Sequence, residues 1–254
     1  MNTETEAIHR LSADLLALGV RPGGVLLVHS SLSALGPVPG GAESVIQGLL
    51  EALGPQGTLL MPSLSYAHVT ADNPFFDLRH TPSNVGVIPE TFRTRPGTRR
   101  SLHPTHSVCA CGPLADELLA GHAEDRTPCG PFSPFHLLPE YHGQLLMLGC
   151  GLRPNTSLHA IEELVEPPYL LGAPREYHLI DAEGNATTPT YIPHHFRGWQ
   201  QRYDRVEQVL DAPALRRGPV LAGEAFLIEA SELWRAALEA LRKDPLYFVD
   251  AEKE

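Results

Sequence analysis

The sequence predicts an α/β fold: one three-layer α/β/α domain over residues 1–254, built on a central mixed sheet. Three observations predict it. Short apolar runs alternate with helix-period segments through residue 165, the pattern of strands joined by crossover helices. A hairpin-like segment follows and makes the sheet mixed. No linker or repeat divides the chain, and 254 residues with 43% hydrophobic content suffice for one large core.

Residues 6–18 read as an amphipathic helix, with Ile8, Leu11, Leu15 and Leu18 at helical spacing and Gly19 as the stop. Val25-Leu26-Leu27-Val28 follows Pro22-Gly23-Gly24 as a buried strand ending at His29. A second helix, about 42–53, carries Val45, Ile46, Leu49, Leu50 and Leu53 and ends at Gly54. Thr58-Leu59-Leu60-Met61 is the next strand. Residues 62–84 have no period but contain Tyr66, Phe75 and Phe76, which points to an ordered, functional segment. A short helix at 86–95, a strand at 106–110, a helix at 114–121, a strand at 144–148 and a helix from 157 follow. Residues 175–192 read as a hairpin around Asp181-Ala182-Glu183-Gly184-Asn185. A helix is expected over 196–210, then a strand pair near 219–229. From Ser231 the last helix puts Leu233, Trp234, Ala237, Leu238 and Leu241 on one face.

The formal net charge of −11 argues against nucleic acid and suits a cationic partner. No apolar run reaches the ~18 residues of a membrane span. Residues 1–6 lack the features of a signal peptide. A cytoplasmic protein without a membrane partner is expected. Cys109, Cys111, Cys129 and Cys150 form no disulfide framework, and a chain of this length needs none. On a strand, Cys109 and Cys111 share one face.

Four segments could carry chemistry. Arg93, Arg95, Arg99 and Arg100 make a local basic patch that suits a phosphorylated ligand, and equally a solvated helix end. His29-Ser30-Ser31-Leu32-Ser33 follows a strand, where ligands bind in α/β sheets, although capping serines would read the same way. In His103-Pro104-Thr105-His106, Pro104 favours extended backbone, so the two imidazoles are not a helical metal pair. Zinc would need a third ligand such as His194 or His195, and no His-Glu-x-x-His pattern is present, so structural or ligand-contacting histidines and no metal are expected. Asn155-Thr156-Ser157-Leu158-His159-Ala160-Ile161-Glu162-Glu163 is the sharpest signal. It begins with capping residues and places His159, Glu162 and Glu163 on one helical face. A carboxylate there fixes the imidazole tautomer and raises its basicity, as a general base requires, and the same spacing also makes an ordinary surface pair.

With Val28-His29-Ser30-Ser31, Thr81-Pro82-Ser83-Asn84-Val85-Gly86, Leu102-His103-Pro104-Thr105-His106-Ser107-Val108 and Asn155-Thr156-Ser157-Leu158-His159, the chain resembles the aminoglycoside N3-acetyltransferase (antibiotic N-acetyltransferase) family over about 20–240. The resemblance implies a three-layer domain that binds acetyl-CoA and moves its acetyl group directly to an amine, with no metal and no covalent intermediate. It implies His159 as the catalytic base and Glu162 as its carboxylate partner. His29, a third catalytic candidate, and Ser30, Ser31 and Ser33 would lie near the thioester and pantetheine. His103, Thr105, His106 and Ser107 would line the CoA site, with Arg99 and Arg100 on its phosphates. Tyr66, Asp77, Glu90 and Glu163 are the candidates for the acceptor pocket. The expected acceptor is a small cationic amine, and a homo-oligomer is compatible with the sequence. The 66–74 loop is short and lacks a Trp-rich form, a departure that predicts weak or narrow activity on aminoglycosides, with another amine as the better substrate. The alternatives are a metal-dependent hydrolase using His103 and His106, and a non-catalytic CoA-binding protein of the same fold.

Overall fold

Val25–Ser30 forms β1, five of whose six residues are buried because the strand runs through the middle of a seven-stranded sheet. The computed structural model describes residues 3–252. The other strands of this sheet are β2 (Thr58–Pro62), β3 (Arg99–Arg100), β4 (Val108–Cys111), β5 (Gln144–Leu148), β6 (Leu215–Val220) and β7 (Gly223–Glu229). They lie in the order β6-β7-β5-β1-β2-β4-β3. β1 is parallel to β2 and β5, with Leu27 beside both Leu60 and Leu145. The outer pairs are all antiparallel, so the sheet is mixed. That character comes from the 215–229 hairpin and from β3–β4, not from residues 175–192 as expected. The latter form the strands 175–176, 178–180, 186–187 and 190–191, which pair among themselves and with Phe75–Asp77 outside the central sheet.

Alternation along the strands supplies two cores. Leu26, Val28, Leu146 and Leu148 pack with Leu11 and Leu15 of α1 (Thr3–Leu18), Ile46 and Leu49 of α2 (Gly41–Leu53) and Phe92 of α3 (Val87–Thr94). Leu27, Leu60 and Met147 face the other cluster. There they meet Leu118 of α4 (Ala115–Ala120), Phe135 of α5 (Pro134–Leu137), Ile161 of α6 (Ser157–Glu163) and Leu233 of α7 (Ala230–Lys243). Each such leucine contributes roughly 1.5–3 kcal/mol by burial. Cys109 is buried in the first cluster and Cys111 packs against it, on one face of β4. Among the described residues no helix is long and apolar enough to cross a membrane.

The helix expected over 196–210 is absent. Gly198 turns left-handed at φ 83°, and Trp199–Gln201 then pairs antiparallel with Val249–Ala251 at the far end of the chain. Only Tyr203–Gln208 winds, as a 3₁₀ helix that buries Tyr203 and Val206. A pairing partner about fifty residues away is invisible to local periodicity.

The four arginines of the basic patch have four separate sets of partners. Arg93 pairs with Glu90, Arg95 with Glu43, and the exposed Arg99 with Asp116. Arg100 points inward. Its guanidinium donates to the carbonyls of Ser63, Leu78 and Thr81 and to Ser107 Oγ at 2.6–3.2 Å, and it lies 4.8 Å from the Phe76 ring centroid. Burial pushes its pKa down to about 10, so it stays charged at neutral pH. Arg100→Ala would remove the guanidinium donor from Leu78 O, Thr81 O and Ser107 Oγ, and one of two side-chain donors from Ser63 O. It is expected to lower stability by about 2–4 kcal/mol in urea unfolding, against at most about 0.5 kcal/mol for Arg99→Ala. Equal effects would contradict this structural role.

Candidate active site

A cavity of about 740 Å³ opens where β1, β2 and β5 end, with His29, Ser30, Pro62 and Cys150 on its wall. After β5 the chain turns at Gly149, in the left-handed region at φ 73°. A Cβ there would stand 3.0 Å from Ser31 O. The bare backbone lets this turn lie against the 31–35 segment, while Ser31 N–H donates to Leu148 O at 2.9 Å. The chain then enters α6, where Asn155 Oδ1 accepts the Ser157 N–H at 3.2 Å. Six of the seven α6 residues are buried, so its His–Glu pair is not a surface pair.

His159 Nδ1 lies 3.1 Å from Glu162 Oε2 and 2.7 Å from Tyr203 Oη. Tyr203 donates to the same carboxylate oxygen at 2.7 Å, and Tyr169 donates to Oε1 at 2.7 Å. Glu162 has no exposed surface. Burial, and next the Glu162 charge, raise the pKa of both phenols, so they remain protonated donors. With Nδ1 engaged, His159 has Nε2 left for the cavity that its ring lines.

Two more histidines share this wall. His194 Nε2 lies 2.7 Å from Glu163 Oε1, and Glu163 also accepts from Thr127 Oγ1 at 2.6 Å and Cys129 N–H at 2.9 Å. His106 Nδ1 lies 2.9 Å from Thr105 Oγ1. The ring centroids are 4.7 Å apart for His159–His194 and 5.1 Å for His106–His194. Burial first, then the neighbouring imidazoles, hold His106 and His194 well below the usual histidine range. Burial likewise lowers His29 to about 3. His29, His106 and His194 thus stand on the wall as neutral imidazoles. Among the described residues no carboxylate lines it, and the cations on it are Arg153 and Arg175.

Of the residues singled out in the sequence, His29, Ser30, Tyr66, Thr105, His106 and His159 line this cavity. Glu162 and Glu163 stand behind His159 and His194. Ser30, Ser31 and Ser33 line an adjoining groove with Gly86 and Val87. Arg99, Arg100, His103, Ser107, Asp77 and Glu90 line neither. Asp77 accepts the N–H groups of Arg79 and His80, and Glu90 binds Ser83 N–H and Arg93. His103 Nδ1 accepts the His106 N–H at 2.9 Å and so holds the turn, and Ser107 Oγ donates to Ser63 O. Tyr169 and Tyr203 were not anticipated. Nothing local marks either one, since each acts through a carboxylate that another segment supplies. His194 was anticipated only as one possible third metal ligand.

A buried His–carboxylate pair at the strand ends of a parallel-centred sheet is equipped for acid–base chemistry on a bound ligand, and the chain's relatives make the class of enzyme an acetyltransferase. The family model for aminoglycoside 3-N-acetyltransferases matches residues 27–242, and the chain belongs to that family. Aminoglycoside N(3)-acetyltransferase IV from Salmonella sp is 36% identical, over 94% of this chain and 88% of the relative. The crystal structure of aminoglycoside acetyltransferase AAC(3)-IVa, as a histidine-to-alanine mutant in complex with a gentamicin, superposes with a TM-score of 0.80 at 35% identity, covering 94% of this chain and 89% of the other. AAC-IIIb in a binary complex with CoASH gives 0.80 at 29% identity, with 95% and 96% coverage.

Buried neutral histidines set a pH dependence. His29, His103, His106, His122 and His194 all have lowered pKa values, with burial the largest cause and His122 at about 4. Below the unfolded value near 6.5 the unfolded chain takes protons that the folded chain refuses. Stability therefore falls as pH drops from 6.5, by up to about 1.4 kcal/mol per unit per histidine. Asp125, raised to about 6 by burial, and Glu163, also raised, act with the opposite sign but are outnumbered. The urea midpoint should be lower at pH 5 than at pH 7. An equal or higher midpoint at pH 5 would contradict the predominance of these histidines over Asp125 and Glu163.

Proposed function

We propose that the protein transfers the acetyl group of acetyl-CoA directly to an amine of a small cationic acceptor of the aminoglycoside class, with His159 as general base. One observation carries the reading: on a cavity wall, His159 Nδ1 is held by the buried Glu162 and Tyr203, so that Nε2 remains to take a proton. The relatives support the two ligands, one being solved with a gentamicin and another with CoASH. The helices α1–α3 and α4–α7 against the two sheet faces fit the α/β/α layering and a single domain.

The protons balance. The free amine attacks the thioester carbon, and His159 Nε2 takes the proton that the new amide nitrogen sheds. Glu162 stabilises the resulting imidazolium. The tetrahedral intermediate expels CoA as thiolate, which receives the proton back from His159. An oxyanion forms on the way, and donors placed for it supply several kcal/mol in enzymes of known mechanism. Asn155 Nδ2, buried without a partner on a residue of this wall, suits that role. Pantetheine fits the groove along Ser30, Ser31 and Ser33, which joins the cavity at Ser30. Holding both substrates there removes the entropic cost of their encounter. The acceptor's positive charge is met by the net charge of −11 and by Glu162 and Glu163 behind the imidazoles.

His159→Ala should lower kcat by about 10²–10⁴-fold on an aminoglycoside acceptor while leaving acetyl-CoA affinity within about twofold. Turnover near wild type would remove His159 from the base role. Tyr203→Phe keeps Glu162 but removes one donor from the pair. Its expected signature is a shifted acid limb in the pH–kcat profile with little change in KM for acetyl-CoA, and an unchanged profile would leave the phenol a packing group.

A further inference from the structure

Three of the four imidazoles on the cavity wall, His106, His159 and His194, share a feature that acetyl transfer uses at His159 alone. Each has one ring nitrogen tied to an oxygen: His106 Nδ1 to Thr105 Oγ1, His159 Nδ1 to Glu162 and Tyr203, and His194 Nε2 to Glu163. Each therefore has the other nitrogen left over. One nitrogen from each ring lies within 4.8 Å of one from both others. His194 Nδ1 is buried with no hydrogen-bond partner, on a side chain only 5% exposed. When Nε2–H donates to Glu163, this orphaned atom is a bare lone pair. Ligand histidines in metal sites show the same arrangement, with the far N–H given to a carboxylate or hydroxyl that fixes the tautomer.

We propose that His106, His159 and His194 form a site for one divalent transition-metal ion of the zinc class, with Thr105, Glu162 and Glu163 as the outer partners. Three neutral imidazoles are donors suited to zinc, and the cavity leaves a fourth position open to water. Bonds of about 2.0–2.1 Å place tetrahedral ligand nitrogens about 3.4 Å apart, so the rings close in by roughly an ångström on binding. The metal-dependent alternative weighed from the sequence used His103 and His106, but His103 Nδ1 accepts an N–H, so the proton of this neutral ring sits on Nε2 and leaves no lone pair for a metal. The metal takes the His159 nitrogen that must accept the amine proton. Resting on the reading of His159 as base, metal binding and acetyl transfer are therefore mutually exclusive.

The experiment is a zinc titration of untagged, chelator-treated full-length protein by calorimetry, with Zn²⁺ alone and no substrate. The expected result is one strong equivalent per chain. His194→Ala and His106→Gln should each weaken it at least tenfold, Glu163→Gln by about 10–100-fold, and the exposed His9→Ala not at all. Thermal melts confirm that each variant is folded, and two ligand variants on separate segments guard against the loss of one. No strong equivalent, or unchanged affinity in folded ligand variants, overturns the site. In the second arm, saturating Zn²⁺ should abolish formation of acetylated product and EDTA should restore it. Product rather than free thiol is measured, because CoA thiol itself binds zinc. Full turnover at saturating Zn²⁺ overturns the exclusion. A protein that acetylates no amine even with EDTA would refute the transfer reading, while the substrate-free titration still decides the metal site.

Discussion

Glu162 is a carboxylate without exposed surface, and removing such an ion from water costs several kcal/mol unless donors replace the lost hydration. Tyr169 supplies one O–H to Oε1, Tyr203 one to Oε2, and His159 completes the set from one turn back on the same helix. The carboxylate therefore dictates where the chain after α6 must go. Residues 169 and 203 have to return to it, and the aromatic packing of Tyr169 with Phe196 and Trp199 seals the wall they form. Fold and site are coupled through this one side chain.

The same logic extends to the neighbouring histidines. A cavity wall lined by imidazoles would repel a cationic acceptor if they were charged. Burial keeps His29, His106 and His194 neutral, and the negative charge stands one layer behind them in Glu162 and Glu163. Among the described residues no carboxylate touches the cavity, and Arg153 and Arg175 stand on its wall. Arg100 illustrates the opposite arrangement, a cation withdrawn from any ligand to hold three backbone carbonyls.

Much of this was legible in the sequence because it is local. Apolar runs marked β1, β2 and β5, helical spacing marked α1, α2 and α7, and the i, i+3 relation of His159 to Glu162 marked the proposed base and its partner. The illegible parts are non-local. Gly198 and the pairing of 199–201 with 249–251 replaced an expected helix. The arginine run read as a phosphate patch, yet its members diverge because a two-residue edge strand points Arg99 outward and Arg100 inward. Asp77 and Glu90 looked like pocket carboxylates but are engaged by their own turn and helix. Tyr203 needed a partner carried on α6, 41 residues earlier in the chain.

The antiparallel registry of β7 against β5 carries a consequence for the order in which the protein is made. Synthesis runs from the N-terminus, so β1, β2, β5 and α6 emerge before the 169–229 segment exists. A nascent chain ending near residue 165 displays every sequence motif of the site. Its β5 nevertheless has one edge without the ladder that β7 will provide, and its Glu162 lacks both phenols. Such a chain also lacks His194, the partner of Glu163. The proposed site is therefore complete only once the last third of the chain has been made.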